Sequence, residues 1–208
     1  MTRIDHVVLA TSDLELGAAQ LQHDFGLATE PGGRHPRFGT INRLMPMDEQ
    51  YLELVAVADP ERAASNPFGR AVAAAARYKG MRALAVCLQG PDLEAVAGRL
   101  GLPIEAGSRI TPDGVDLSWR TVGMAEAFSQ TQQPFFIAWD SRATHPSRAN
   151  GDDRLGSARF TRVEIGGNPE EVTKWVGGEV PGLIPIGGSP GIRSVVIAMA
   201  DGGTVTIR

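Results

Sequence analysis

The sequence predicts an α+β fold built from repeated strand-helix-strands units. Apolar strands and amphipathic helices alternate along the chain, which is the first observation behind this prediction. The second is an internal repeat, because the pattern of the first 60 residues begins again near residue 81. Pairs of like residues stand 79 positions apart: Val7 and Val86, Leu9 and Leu88, Asp13 and Asp92.

Composition indicates a globular protein whose partner is a small molecule. The chain has 208 residues, 42% of them hydrophobic, and a net charge of −4 from interspersed acids and bases. Nucleic acid and anionic membranes are therefore not expected as partners. Cys87 is the single cysteine, which excludes an internal disulfide, and we expect it in the core. Neither a signal sequence nor a membrane span is evident, so we expect a cytoplasmic protein.

The first unit begins with a strand at 3–10. Ser12 and Glu15 form a predicted capping box at the start of a helix that Gly26 ends. Glycines and prolines at 30–36 predict a loop. Strands at 38–45 and 51–57 complete the unit, and a helix at 67–78 follows it.

The later elements divide the chain into two predicted domains. Residues 1–146 hold two paired units, at about 1–60 and 81–140, and we expect the polar stretch 141–156 to be a surface connection or a flexible loop. Residues 157–208 form a third, abbreviated strand-helix-strand unit that packs on the pair.

Two strands carry a residue that does not suit an apolar environment. His6 interrupts the first strand and Glu53 interrupts the strand at 51–57. A half-buried strand rarely holds such residues without a partner or a function. Strand alternation places His6 on one face with Ile4, Val8 and Ala10.

Further candidates lie nearby in the predicted sheet. Thr40 and Asn42 share one strand face, where they would hydrogen-bond a ligand or a bulge. Trp139 lies on a strand face with other apolar residues and suits either the core or the wall of a pocket. His35 and His145 occupy predicted loops, from which an imidazole can reach a cleft.

Five segments, in their order along the chain, resemble the glyoxalase-like branch of the vicinal oxygen chelate superfamily. They are Ile4–Val8, Asp13–Glu15, Gly32–Pro36 with Gly39–Leu44, Tyr51–Leu54, and Pro134–Asp140. The resemblance implies paired βαβββ units whose mixed sheets curl around a cleft, and a homodimer. It also implies a divalent metal, zinc, iron, manganese or nickel, held by residues of the first and last strands of a unit.

Carried onto this sequence, the resemblance makes His6 and Glu53 metal ligands, with the third ligand from His35, His145 or solvent. Glu53 is also the candidate catalytic residue. Thr40, Asn42 and Trp139 are the candidate substrate-binding residues. The implied function is a metal-dependent lyase, isomerase or dioxygenase that acts on a small oxygenated molecule.

The second unit departs from this pattern. The offset places Ala85 where the first unit has His6, and the strand Phe135 to Trp139 contains no acid. A metal-free protein that binds or sequesters a small molecule in the same cleft is therefore the alternative. An interaction domain that shares only the fold is a third reading.

Overall fold

The computed structural model describes residues 1–90, 92–129, 132–141, 145–148 and 158–208. Eight strands form a closed barrel: β1 Arg3–Ala10, β2 Glu30–His35, β3 Thr40–Pro46, β4 Tyr51–Val57, β5 Arg82–Gln89, β6 Glu105–Ile110, β7 Asp116–Val122 and β8 Phe135–Trp139. Four more form a second sheet: β9 Arg159–Gly166, β10 Leu183–Ile186, β11 Gly191–Ala198 and β12 Thr204–Ile207. The helices are α1 Leu14–Phe25, α2 Pro60–Ala64, α3 Pro67–Ala75, α4 Leu93–Leu100, α5 Met124–Ala127 and α6 Pro169–Val176, with a 3-10 turn at Pro146–Arg148.

The barrel consists of two copies of one strand order. Its sequence around the barrel is β1-β4-β3-β2-β6-β7-β8-β5, and the copies join through antiparallel pairs of β1 with β5 and of β2 with β6. His6 pairs with Cys87, which is the counterpart of Val8 in the second copy. Val8 pairs with Ala85, which is the counterpart of His6. The predicted α+β class and the repeat are confirmed, whereas the predicted domain boundaries stay a prediction.

Two apolar clusters occupy opposite faces of the barrel wall. Val7 and Leu9 belong to an outer cluster that the second sheet and α1 also contribute to. Val8 and Ala10 belong to an inner cluster, into which Phe68 of α3 packs. The alternation of side chains along β1 thus supplies both clusters, and the inner one surrounds the candidate site.

A β-bulge at Asp5 interrupts this alternation. Ile4 pairs with Leu88 and His6 with Cys87, so two steps along β1 match one step along β5. Such a bulge re-aims the side chains beside it. Asp5 and His6 accordingly contact each other, while Ile4 joins the outer cluster. The prediction that Ile4 shares the face of His6 is therefore wrong.

The predicted loop at 30–36 is also wrong, because the structure has β2 there. Glycine makes this strand possible. A Cβ on Gly32 would lie 2.2 Å from Oδ1 of Asn42, and a Cβ on Gly33 would lie 2.2 Å from the carbonyl oxygen of Ile110. Gly33 also has a φ of 147°, which side chains other than glycine's rarely allow. The two glycines therefore mark close approach within a sheet.

Smaller corrections concern the ends of the elements. Asp13, and not Ser12, caps α1, since its carboxylate accepts hydrogen bonds from the amides of Glu15 and Leu16. Gly26 ends that helix in the left-handed conformation, as predicted. The predicted strand from 38 begins only at Thr40, and the predicted helix 67–78 ends at Ala75.

Most of the polar stretch 141–156 lies outside the described residues. Its described part includes the 3-10 turn and His145, whose side chain is buried. Within the described chain, no helix is both long and apolar enough to cross a membrane.

We predict that Gly33→Ala lowers the free energy of unfolding by on the order of 2 kcal/mol, because the new methyl group meets the backbone of β6 and the φ is unfavourable. The matched control is Gly98→Ala in α4, where a Cβ meets nothing within 4 Å and alanine favours the helix. Urea denaturation of both variants tests this. Equal stabilities would contradict the role assigned to Gly33.

Candidate functional site

A pocket opens inside the barrel, with a polar floor and an aromatic wall. The space between its walls, including its open mouth, is about 490 Å³. His6, His35, Asn42, Glu53 and Arg109 supply its charged and polar groups. The aromatic wall consists of Phe38, Phe68, Trp119, Phe128, Phe135 and Trp139.

Asp5 orients His6. The Nδ1 of His6 lies 2.7 Å from Oδ1 of Asp5, and because a carboxylate only accepts, Nδ1 carries the hydrogen. A neutral His6 then has its lone pair on Nε2, the nitrogen nearer the pocket carboxylate of Glu53. Tyr51 stacks on the imidazole with ring centroids 4.4 Å apart. The ring is therefore fixed both at its edge and on its face.

Asp5 is fully buried and accepts from two further donors. Nε1 of Trp139 lies 3.2 Å from Oδ2, and Nε2 of His145 lies 3.1 Å from the same oxygen. Burial by itself raises the pKa of Asp5, but the hydrogen bonds from His145 and His6 hold it well below its ordinary value. The carboxylate is thus charged, and it links β1 to β8 and to the segment after it.

His145 serves Asp5 and does not face Glu53. The amide of Ser147 donates to Nδ1 of His145, so the ring hydrogen sits on Nε2 and is donated to Asp5. This arrangement uses both nitrogens. The sequence-based option that His145 supplies a third metal ligand beside Glu53 has no support in this geometry.

Glu53 lies between two imidazoles. Its Oε2 is 3.8 Å from Nε2 of His6, and its Oε1 is 3.8 Å from Nε2 of His35. Both distances are too long for hydrogen bonds. Among the described residues, the one hydrogen bond to this carboxylate comes from Nδ2 of Asn42, which lies 2.7 Å from Oε1. A buried carboxylate with a single donor leaves acceptor capacity for a cation or a ligand.

His35 is held by Thr40, whose hydroxyl lies 3.0 Å from Nδ1. Burial lowers the pKa of His35 to about 4, with further lowering by the charges of Arg109 and His6 and an opposing effect from Glu53. The imidazole is consequently neutral at pH 7. Thr40 contacts His35, and its predicted contact with a substrate stays a prediction.

The donor set of His6, His35 and Glu53 fits a divalent transition metal in kind. Two imidazole nitrogens and one carboxylate suit iron, manganese, nickel or zinc. Ligand atoms about 2.1 Å from a tetrahedral ion lie roughly 3.4 Å apart, close to the two distances of 3.8 Å. Because each imidazole faces a different carboxylate oxygen, however, the three do not all come within 4.8 Å of one another.

A second cluster meets that distance, but its chemistry is less suitable. Ligand-type atoms of Asp5, His6 and Cys87 lie within 4.8 Å of one another. Burial raises the pKa of the Cys87 thiol well above its ordinary value, so it stays protonated, and Asp5 already accepts three hydrogen bonds. We therefore interpret this cluster as the support behind His6.

Sequence reasoning missed three residues of the site. Asp5 was missed because strict strand alternation directs its side chain away from that of His6. The β-bulge brings the two side chains together. Tyr51 lies in the predicted strand at 51–57 but was given no function. Arg109 was given no function either, because no local pattern marks it as facing a pocket.

A family model for a glyoxalase-like domain matches residues 4–178. The chain belongs to this family. The resemblance predicted from the five sequence segments is thereby confirmed. No curated protein matches the chain.

Several solved structures are similar to this glyoxalase-like domain. A hypothetical protein from Staphylococcus aureus aligns with 100% of this chain and 86% of its own, at 17% identity and a TM-score of 0.68. The methylmalonyl-CoA epimerase of Mycobacterium tuberculosis aligns with 67% of this chain and 89% of its own, at 15% identity and a TM-score of 0.46. The Streptomyces coelicolor epimerase aligns with 68% and 99%, at 14% identity and a TM-score of 0.47.

We predict that the metal-free glyoxalase-like domain loses stability as the pH falls from about 6.5 to about 4. His35 binds a proton in the unfolded chain throughout that window but resists it when folded, so unfolding is favoured by up to about 3 kcal/mol. Chemical denaturation in chelator across this pH range measures the effect.

His35→Gln should remove most of this pH dependence. The control is His23→Gln, because the side chain of His23 is 88% exposed and makes its contacts at the surface. A His35→Gln protein with the wild-type pH profile would refute the assignment.

Proposed function

We propose that the protein is a metal-dependent lyase or isomerase that acts on a small oxygenated molecule. The observation that supports this most strongly is the position of Glu53, with one imidazole nitrogen 3.8 Å from each carboxylate oxygen. A buried carboxylate oxygen and two imidazole nitrogens are the ligand atoms that such a metal prefers. When bound, the metal would polarise a carbonyl or hydroxyl oxygen of the substrate.

Neighbouring residues orient the three proposed ligands. Asp5 holds the hydrogen of His6 on Nδ1, which leaves Nε2 free to bind. Thr40 orients His35, and Asn42 occupies Oε1 of Glu53. Oε2 of Glu53 receives no hydrogen bond from the described residues, so it is available to the metal or to a proton from substrate.

Proton transfer is the reaction type that this arrangement favours over dioxygenation. The Asn42 amide fixes Glu53 so that its second oxygen faces the pocket, as a general base requires. The aromatic wall surrounds the same pocket with apolar surface, which strengthens the interactions of that oxygen with substrate. The same donor set also suits Fe(II) and oxygen chemistry, but that reading has no use for a basic Oε2.

The alternative function is metal-free binding of a small molecule. Two observations favour it: the second unit contributes Ala85 and an acid-free β8, and Asn42 already satisfies part of the Glu53 carboxylate. In this reading the same pocket binds a ligand without turnover.

Metal binding separates the two functions. We predict that purified wild-type protein binds Mn²⁺ or Zn²⁺ at one site per chain and that Glu53→Gln abolishes this. Glutamine preserves the acceptor for Asn42 and the volume of the side chain, so the fold should persist. Isothermal titration calorimetry and elemental analysis measure the stoichiometry, and circular dichroism confirms the fold.

Glu94→Gln is the matched control, since Glu94 lies on the surface in a pair with Arg120. Undiminished metal binding in Glu53→Gln would contradict the proposed ligand set. Absence of metal from every preparation, together with ligand-induced thermal stabilisation that persists in chelator, would support the alternative. The predicted homodimer and cytoplasmic location stay predictions.

A further inference from the structure

The pocket contains a buried arginine whose guanidinium forms no ion pair or hydrogen bond with the described residues. Arg109 of β6 lines the pocket and is 3% exposed. Its Nε is fully buried without a hydrogen-bond partner. Among the described residues, no carboxylate lies within 4.0 Å of its guanidinium, and no side chain or carbonyl accepts a hydrogen bond from it.

An unpaired buried guanidinium is costly, so its presence needs an explanation. Stacking on a ring does not supply one, because the cation–π contacts of the described chain involve other arginines. Tyr51, Glu53 and Glu30 favour the charged guanidinium of Arg109 through their electrostatic fields. Of these, Tyr51 and Glu53 line the pocket together with Arg109.

The fold makes room for this side chain. A Cβ on Gly33 would lie 2.9 Å from Cγ of Arg109, so the aliphatic stem of the arginine crosses β2 at a glycine. Likewise, a Cβ on Gly107 would lie 2.3 Å from Nε1 of Trp119. Arg109 thus reaches the pocket across Gly33, and Trp119 reaches it across Gly107.

We propose that Arg109 binds the carboxylate of a small organic acid whose apolar part lies against Trp119 and Trp139. A guanidinium presents parallel N–H donors that match the two oxygens of a carboxylate. The two indole rings, 5.3 Å apart by centroid and partly exposed, offer the apolar surface at the pocket mouth. An organic acid is thus the substrate class for the proposed function. The carboxylate site rests on that function only in that both place a small molecule in this pocket.

A monoanionic carboxylate fits better than a phosphate. Arg109 is the only arginine or lysine among the described residues that line the pocket, and His35 is neutral there. The negative charge of Glu53 faces the same space and opposes a dianion. Phosphate sites usually combine several cations, whereas the described lining of this pocket contains a single arginine.

The test compares two probes of the same shape, phenylacetate and its neutral amide, phenylacetamide. Wild-type protein should bind phenylacetate at least about 10-fold more tightly in calorimetry, since a charged hydrogen-bonded pair is lost with the amide. Arg109→Met should abolish this preference, and Arg109→Lys should retain only part of it, because lysine keeps the charge but not the fork.

Thermal unfolding of the same variants distinguishes binding from a structural role. Arg109→Met should not lower the midpoint, because methionine removes an unpaired buried charge and preserves apolar volume. The control, Arg120→Met, changes a surface arginine paired with Glu94 and should leave the probe preference unchanged. A large fall in the midpoint for Arg109→Met would indicate a structural arginine and overturn the inference.

Two further results would overturn it: equal or absent binding of the two probes by wild type, and tighter binding of phenyl phosphate than of phenylacetate. Mn²⁺ titration of each variant keeps this test separate from the proposed metal site. Arg109→Met should still bind Mn²⁺ at one site per chain and no more weakly than wild type, because it removes a positive charge that acts on His35 and Glu53. If no variant binds Mn²⁺ while the probe preference depends on Arg109, the metal proposal fails and the carboxylate site stands.

Discussion

The site depends on one buried carboxylate in a bulged strand. Asp5 accepts hydrogen bonds from His6, Trp139 and His145, which come from the first strand, the last barrel strand and the segment beyond it. A carboxylate so deeply buried is tolerated only because its oxygens are well satisfied. By accepting the hydrogen bond that Nδ1–H of His6 donates, Asp5 also leaves Nε2 as the nitrogen that faces the pocket. The β-bulge at Asp5 thereby fixes the orientation of the His6 imidazole in the site.

The two copies of the repeat contribute different chemistry to one pocket. The first copy supplies the groups that can bind a metal or move a proton: His6, His35 and Glu53. The second supplies Arg109, Trp119 and most of the remaining aromatic wall. A barrel with near two-fold strand order therefore encloses a site without two-fold symmetry. The two copies together enclose the pocket, and the residues in which they differ provide its functional groups.

Glycine connects this chemistry to the fold. Gly32 leaves the space that Asn42 needs to reach Glu53, and Gly33 leaves the space for the stem of Arg109. A strand with side chains at these positions would be more regular and would exclude both polar residues. The protein also retains a neutral buried histidine and an unpaired arginine, which lower its stability. Such costs are typical of binding and catalytic sites.

Periodicity and repetition were sufficient to predict the fold class from the sequence, because strand and helix patterns depend on local alternation. The misfit of His6 and Glu53 in apolar strands likewise predicted where the polar floor would be. Tertiary structure alone decided the rest. The bulge that turns Asp5 inward depends on pairing with β5, and the strand at 30–35 depends on packing against Asn42 and β6. The pairing of Asp5 with His145 joins positions 140 residues apart, and no local pattern in a sequence reports a contact that only chain folding creates.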